Sequence, residues 1–135
     1  MFTEELMQTM LIAAGVLGLV TGLVHSVLGE ILIFRRLRKG GLVPEMEAPP
    51  LRERHVRILW ATWHLATVFG WAFAGVFLRL AVAPDDAPGA LILSAAVFAN
   101  LAGSLLVLIG TKGRHPGWIA LSVAAALIWF GASAA

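Results

Sequence analysis

Apolar residues fill four long runs along this chain, separated by short polar segments. From Leu6 to Phe34 the only ionisable side chains are His25 and Glu30, and this run exceeds the roughly 20 residues that a helix needs to span hydrocarbon. Three further stretches, 58–82, 90–111 and 117–134, read the same way, the last being short but uncharged. The pattern predicts an all-α fold, a polytopic membrane four-helix bundle occupying residues 1–135 as one domain, with helices over about 6–34, 58–82, 90–111 and 117–134. Glu4 and Glu5 precede the first run where a signal peptide would carry Lys or Arg, so helix one is expected to be retained.

The connecting segments carry their own signals. Between Gly40 and Pro50 the string GGLVPEMEAPP is rich in helix breakers, and Leu51 onward can restart a helix in water, supported by Glu53 and Arg57 at i, i+4. The PDDAPG stretch from Pro84 to Gly89 predicts a tight loop. The halves are not alike enough to form an inverted repeat of the transporter type.

Charge adds a direction. Arg35, Arg36, Arg38, Lys39, Arg52, Arg54 and Arg57 fall in the 35–57 loop, and Lys112 and Arg114 lie between helices three and four, whereas Glu4, Glu5, Asp85 and Asp86 mark the other ends. The positive-inside rule therefore predicts a multi-pass inner-membrane protein with both termini outside and both basic loops cytoplasmic. Only 13% of the residues are charged, against roughly 25% in soluble domains. The formal charge of +2 could suggest nucleic acid, but the basic residues flank apolar runs. Anionic lipid headgroups are the expected partner, and nucleic acid is not. With no Cys, thiolate metal sites and disulfides are excluded, and one bundle uses nearly all 135 residues, leaving no room for a soluble catalytic domain.

Polar groups inside the apolar runs are the informative positions, because burial there costs free energy unless partners or water are found. They are His25, Glu30, His64 and Asn100. By helical rise His25 lies about 15 Å above Arg35, His64 about 10 Å above Arg57, Asn100 about 18 Å above Lys112 and Glu30 about 7 Å above Arg35. At 100° per residue, Gly15, Gly18, Gly22 and Gly29 form one stripe on helix one, with His25 at one edge and Ser26 at the other. Glu30 is about 140° around from His25, so one helix alone cannot bring them together. His64 shares a face with Trp60, Thr67, Trp71 and Gly75; Asn100 aligns with Gly103, Ser104 and Thr111; Trp118, Ser122, Ala125 and Trp129 align beneath His115.

The sharpest chemistry offered by these residues is a cofactor site. His25 and His64, on antiparallel neighbours, suit axial ligation of haem, with Asn100 as a supporting polar partner. With Glu30 or His115 added, the donor set suits a transition metal such as zinc, iron or copper. The competing explanation, weighed slightly above any single cofactor, is that the histidines bond helix backbones or Asn100, Ser104 and Thr67 and glue the helices together. Glu30 reads either as a proton or cation acceptor or, favoured by its shallow depth, as a partner of Arg35, Arg54 or Arg57. Arg79 reads as a snorkelling side chain near Asp85 and Asp86. Trp60, Trp63 and Trp118 read as interfacial anchors, Trp71 and Trp129 as packing residues. The glycine face suggests a homo-oligomer. A small oligomeric transporter or channel and an accessory subunit of a larger membrane complex are the alternatives to the cofactor protein.

Three strings, His25-Ser-Val-Leu-Gly-Glu30, Trp63-His64 and Gly113-Arg-His-Pro-Gly-Trp118, resemble those of small bacterial four-helix integral membrane proteins. The resemblance implies fold and topology and brings no activity, cofactor or catalytic residue. Small multidrug exporters are similar in size and carry a Glu in the first helix, but Glu30 sits near the helix end and the strong charge bias departs from dual orientation. The glycine-rich opening of small fluoride channels and the histidine spacing of four-helix b-type cytochromes are not matched.

Overall fold

The computed structural model describes residues 2–133. Four helices follow one another: α1 (Phe2–Leu32), α2 (Glu53–Val82), α3 (Pro88–Thr111) and α4 (Gly117–Ser133). Three of them are long and apolar enough to cross a membrane, and α4 is a shorter apolar helix; residue 134, the expected last residue of helix four, lies outside the described residues.

The helix ends depart from the apolar runs for local reasons. α1 stops at Leu32 rather than Phe34 because a 3-10 turn over Phe34–Leu37 swings Phe34 inward, where its ring is 3% exposed and packs against Trp63 and His64. α2 starts at Glu53 rather than residue 58, shortly after Pro50, with Glu53 favourable in its first turn. Pro88 opens α3, where its missing N–H costs nothing. α3 ends with Lys112 and Gly113 at φ of 53° and 73°, and the Gly113 N–H returns to the Leu108 carbonyl at 2.9 Å. That left-handed step is easiest for glycine, which has no Cβ.

Consecutive helices run antiparallel, each packing chiefly on its neighbours in sequence, so α1 and α4 lie at the two ends of the row. Helices in lipid gain little from burying apolar surface against each other and depend on close approach. The glycine stripe of α1 provides it: Gly15 meets Leu78 and Ala74, Gly18 meets Ala74, Gly22 meets Trp71 and Thr67, and Gly29 meets Trp63. The face expected to pair two copies is therefore spent within the chain. Gly103 and Gly110 of α3 do the same towards Leu65 and Ala61 of α2. Ser104 donates to the Trp118 carbonyl at 2.8 Å and lies 2.7 Å from Ser122, joining α3 to α4.

The loop before α2 folds back beneath the helices. Glu45 and Met46 N–H groups both donate to the Leu37 carbonyl, at 2.8 and 2.9 Å. Val43 and Pro44 are buried, Val43 in a cluster with Phe34, Trp60, Ala61 and Val107. On the outside, Leu17, Leu127 and Phe130 are among many exposed large apolar side chains, and Trp129, expected to pack, is 61% exposed.

A methyl group added at Gly22 would lie 2.5 Å from Trp71 Nε1, whereas one at Gly75 meets nothing within 4 Å. Gly22→Ala is expected to lower unfolding stability in detergent by about 1–3 kcal/mol, and Gly75→Ala to leave it unchanged or raise it by up to about 1 kcal/mol. Thermal unfolding of the two variants side by side checks the difference.

Candidate functional site

Glu30 is the centre of the polar contacts between α1 and α2. Its Oε1 accepts from Trp60 Nε1 at 2.6 Å and lies 2.9 Å from His64 Nε2. Its Oε2 is paired with Arg38 Nη2. The partner is thus neither Arg35, Arg54 nor Arg57, because the 3-10 turn after α1 brings Arg38 back towards the helix it has just left. Trp60 is 5% exposed and stands edge-on to the His64 ring, with centroids 4.9 Å apart. It is a buried donor rather than an interfacial anchor.

From His64 the contacts continue up the helix pair. His64 Nδ1 lies 2.9 Å from Ser26 Oγ, Ser26 Oγ lies 2.8 Å from Thr67 Oγ1, and Thr67 Oγ1 donates to the Gly22 carbonyl at 3.2 Å. Farther along, Trp71 Nε1 donates to the Leu19 carbonyl at 3.0 Å and Gln8 Nε2 to the Ala81 carbonyl at 2.8 Å. The small residues of α1 leave its carbonyls open to donors from the facing helix, which explains why indole and hydroxyl groups fill the apolar interface.

Counting hydrogens along this chain of contacts restricts its proton content. Four contacts, Glu30–His64, His64–Ser26, Ser26–Thr67 and Thr67–Gly22, each require one hydrogen. Ser and Thr hydroxyls supply one each, and a neutral imidazole one more. All four can be satisfied together only when Glu30 and His64 hold one proton beyond a carboxylate and a neutral ring. With that proton removed, Nε2–H donates to Glu30, both hydroxyls reverse, and the Thr67–Gly22 contact, the longest of the four, loses its hydrogen. The arrangement therefore has two proton contents, which differ by the direction of two hydroxyls and by the presence of the Thr67–Gly22 bond.

His25 goes elsewhere. Its ring stacks on Trp63 with centroids 4.4 Å apart and an interplanar angle of 7°. His25 Nε2 lies 3.2 Å from the Trp63 carbonyl and Trp63 Nε1 donates to the His25 carbonyl at 3.0 Å. A carbonyl only accepts, so Nε2 of His25 carries the hydrogen. The residue that meets His64 is Ser26, one position on from His25. Trp63, like Trp60, is a helix–helix contact instead of an interfacial anchor.

Asn100 and His115 are not drawn into this cluster. The Asn100 amide donates to the Ala96 carbonyl at 2.9 Å, one turn back in its own helix, beside an apolar cavity of about 110 Å³ lined by Phe69, Phe73 and Val76. His115 Nδ1 accepts from the Gly117 N–H at 3.0 Å at the start of α4. Among the expected ligands, Glu30 and His64 are the pair in direct contact. No group of three or more His, Asp or Glu side chains suited to a metal ion occurs among the described residues.

The shared face of Trp60, His64, Thr67 and Trp71, and the position of Ser26 beside the glycines, were signals for this interface in the sequence. Arg38 carried none, because only the turn after α1 decides where it points. Comparison with protein-family models, with curated proteins and with solved structures gives no match to this chain.

Glu30→Gln leaves an amide facing Arg38 and removes the charge that three donors share, and is expected to destabilise the protein by about 1–3 kcal/mol. His25→Phe preserves an aromatic stack and forfeits one bond, at a cost of about 1 kcal/mol or less. Unfolding midpoints of the two variants should rank in that order.

Proposed function

We propose that this is a multi-pass inner-membrane protein with both termini outside and both basic loops in the cytoplasm, and that Glu30 and His64 form the proton-exchanging centre of a small transporter or channel. Three helices of sufficient length and apolarity, an outer surface rich in exposed Leu, Ile, Val and Phe, and the clustering of nine of ten Lys and Arg residues within 35–57 and 112–114 support the membrane reading. The observation that carries the functional reading is the hydrogen count between Glu30 and Gly22, which accommodates the pair with or without one additional proton by reversal of two hydroxyls and loss of one contact. Ionisable groups within apolar helices tend to mark ion and proton pathways.

The exchangeable groups run from Glu30, held by Arg38 at the loop end, to Thr67 and stop there, since the next donor, Trp71, is an indole that does not relay protons. The pair thus serves as a binding centre reached from the cytoplasmic side, and a complete path is formed with a second copy or another chain along the exposed outer faces. Cofactor ligation by His25 and His64 ranks second. It requires His64 to release Glu30 or Ser26, and His25 to release the Trp63 carbonyl or coordinate through Nδ1.

In liposomes with an entrapped pH-sensitive dye and an imposed membrane potential, the protein is expected to raise proton entry above that of protein-free vesicles, and Glu30→Gln and His64→Ala to return it to the protein-free rate. Equal rates with and without protein would sink the transport reading. Because the chain has no Cys, orientation can be read from single introduced cysteines. Gly41→Cys is expected to be protected from an impermeant maleimide in intact cells, and Ala87→Cys to be labelled.

A further inference from the structure

At the basic-loop end, a half-open cavity of about 620 Å³ lies between the start of α2, the end of α3 and the α3–α4 turn. Five cationic side chains line it, Arg52, Arg54, Arg57, Lys112 and Arg114, against two carboxylates, Glu47 and Glu53. The volume is in the range of small-molecule sites, about 300–1,000 Å³. The first turn of α2, which begins at Glu53, also lines this region, and a helix N-terminus adds partial positive charge there.

Arg57 lies at the inner edge of this cavity, its side chain 6% exposed. Its Nε, like that of Arg38, is closed off and has no hydrogen-bond partner among the described residues. The contacts that its other nitrogens make are long: 3.5 Å to Glu45 Oε1, 3.7 Å to Glu53 Oε1 and 3.4 Å to the Ile109 carbonyl. A buried guanidinium normally saturates its five donors, and a planar fork favours the paired oxygens of a phosphate or carboxylate. Around it, Arg54 Nε is held by His55 Nε2 at 3.1 Å, and Lys112 Nζ stands 3.6 Å from Glu45 and 3.9 Å from Glu53. Arg52 and Arg114 lie exposed at the rim.

We infer that this cavity is a binding site for a phosphate-bearing anion, with Arg57 at its base and Arg52 and Arg114 at its rim. Positive-inside topology accounts for basic residues in both loops, but it does not require five of them to line one half-enclosed volume against two carboxylates. The site is separate from Glu30 and His64 and does not depend on how they function. Two sources supply the same chemistry, the headgroup of an anionic phospholipid and a soluble phosphate compound.

Delipidated full-length protein in neutral detergent is titrated separately with phosphatidylglycerol in mixed micelles, with phosphatidylcholine, and with inorganic phosphate, following binding by thermophoresis in phosphate-free buffer. Phosphatidylglycerol binding well above phosphatidylcholine, with no response to inorganic phosphate, assigns the site to a lipid headgroup; a response to inorganic phosphate assigns it to a soluble ligand. In either case the double variant Arg52→Gln/Arg114→Gln is expected to weaken binding by about tenfold or more. Arg35→Gln/Arg36→Gln, which removes the same charge outside the cavity, is expected to change it much less. Circular dichroism establishes that each variant is folded. The inference is overturned if neither phosphate probe binds above phosphatidylcholine, or if the two double variants weaken binding equally, since a diffuse basic surface then suffices.

Discussion

The close approach of α1 to α2 is the contact on which the rest of this structure depends. In a lipid environment two apolar helices have little hydrophobic reason to associate, and packing plus interhelical hydrogen bonds must hold them. Glycine at four positions lets α2 side chains rest on the α1 backbone. Donors from α2 then reach the carbonyls of Leu19, Gly22 and His25, while Gln8 of α1 reaches Ala81 in the other direction. Remove the stripe and the separation grows beyond hydrogen-bond range, so both contributions fail together.

That same proximity creates the polar centre. Glu30 lies at the loop end of the interface, where Trp60 and His64 come up against it from α2 and Arg38 closes it from below. A carboxylate left alone between two apolar helices would be costly, and three donors make it tolerable. The price is conformational specificity: α1 can end only where the 3-10 turn allows Arg38 to return. The turn also brings in Phe34, and behind it the loop carries Val43 and Pro44 under the helices. With the loop in place, Glu45 pairs with Arg57 and Glu47 lines the basic cavity. One helix contact, one carboxylate and one turn thus determine the shape of the whole loop end.

That three helices are long and apolar enough to cross a membrane was legible in uninterrupted apolarity, and the helix faces were legible in the 3.6-residue period. The glycine stripe and the Trp60–His64–Thr67–Trp71 face are the two surfaces that meet. What period and depth do not contain is azimuthal register between two helices. A shift of one residue replaces His25 by Ser26 opposite His64, and so changes a pair of prospective ligands into a hydrogen-bonded chain. The tryptophans show the same limit. Depth alone assigned Trp60 and Trp63 to the interface and Trp129 to the interior, but Trp60 is buried on Glu30, Trp63 is stacked on His25 and Trp129 faces outward.

By itself the sequence determined how many apolar helices there are, where the basic residues collect, and which side of α1 is smooth enough to be approached, because these follow from local composition and a fixed helical pitch. Only the tertiary structure decided which partner each polar group takes. Glu30 chose Arg38 over three other arginines because the chain reverses within a few residues of Leu32, and Arg57 became a buried, incompletely satisfied guanidinium because a loop without regular structure folds over it. Such outcomes rest on non-local geometry, in which an error of one residue or a few ångströms is the difference between a bond and none.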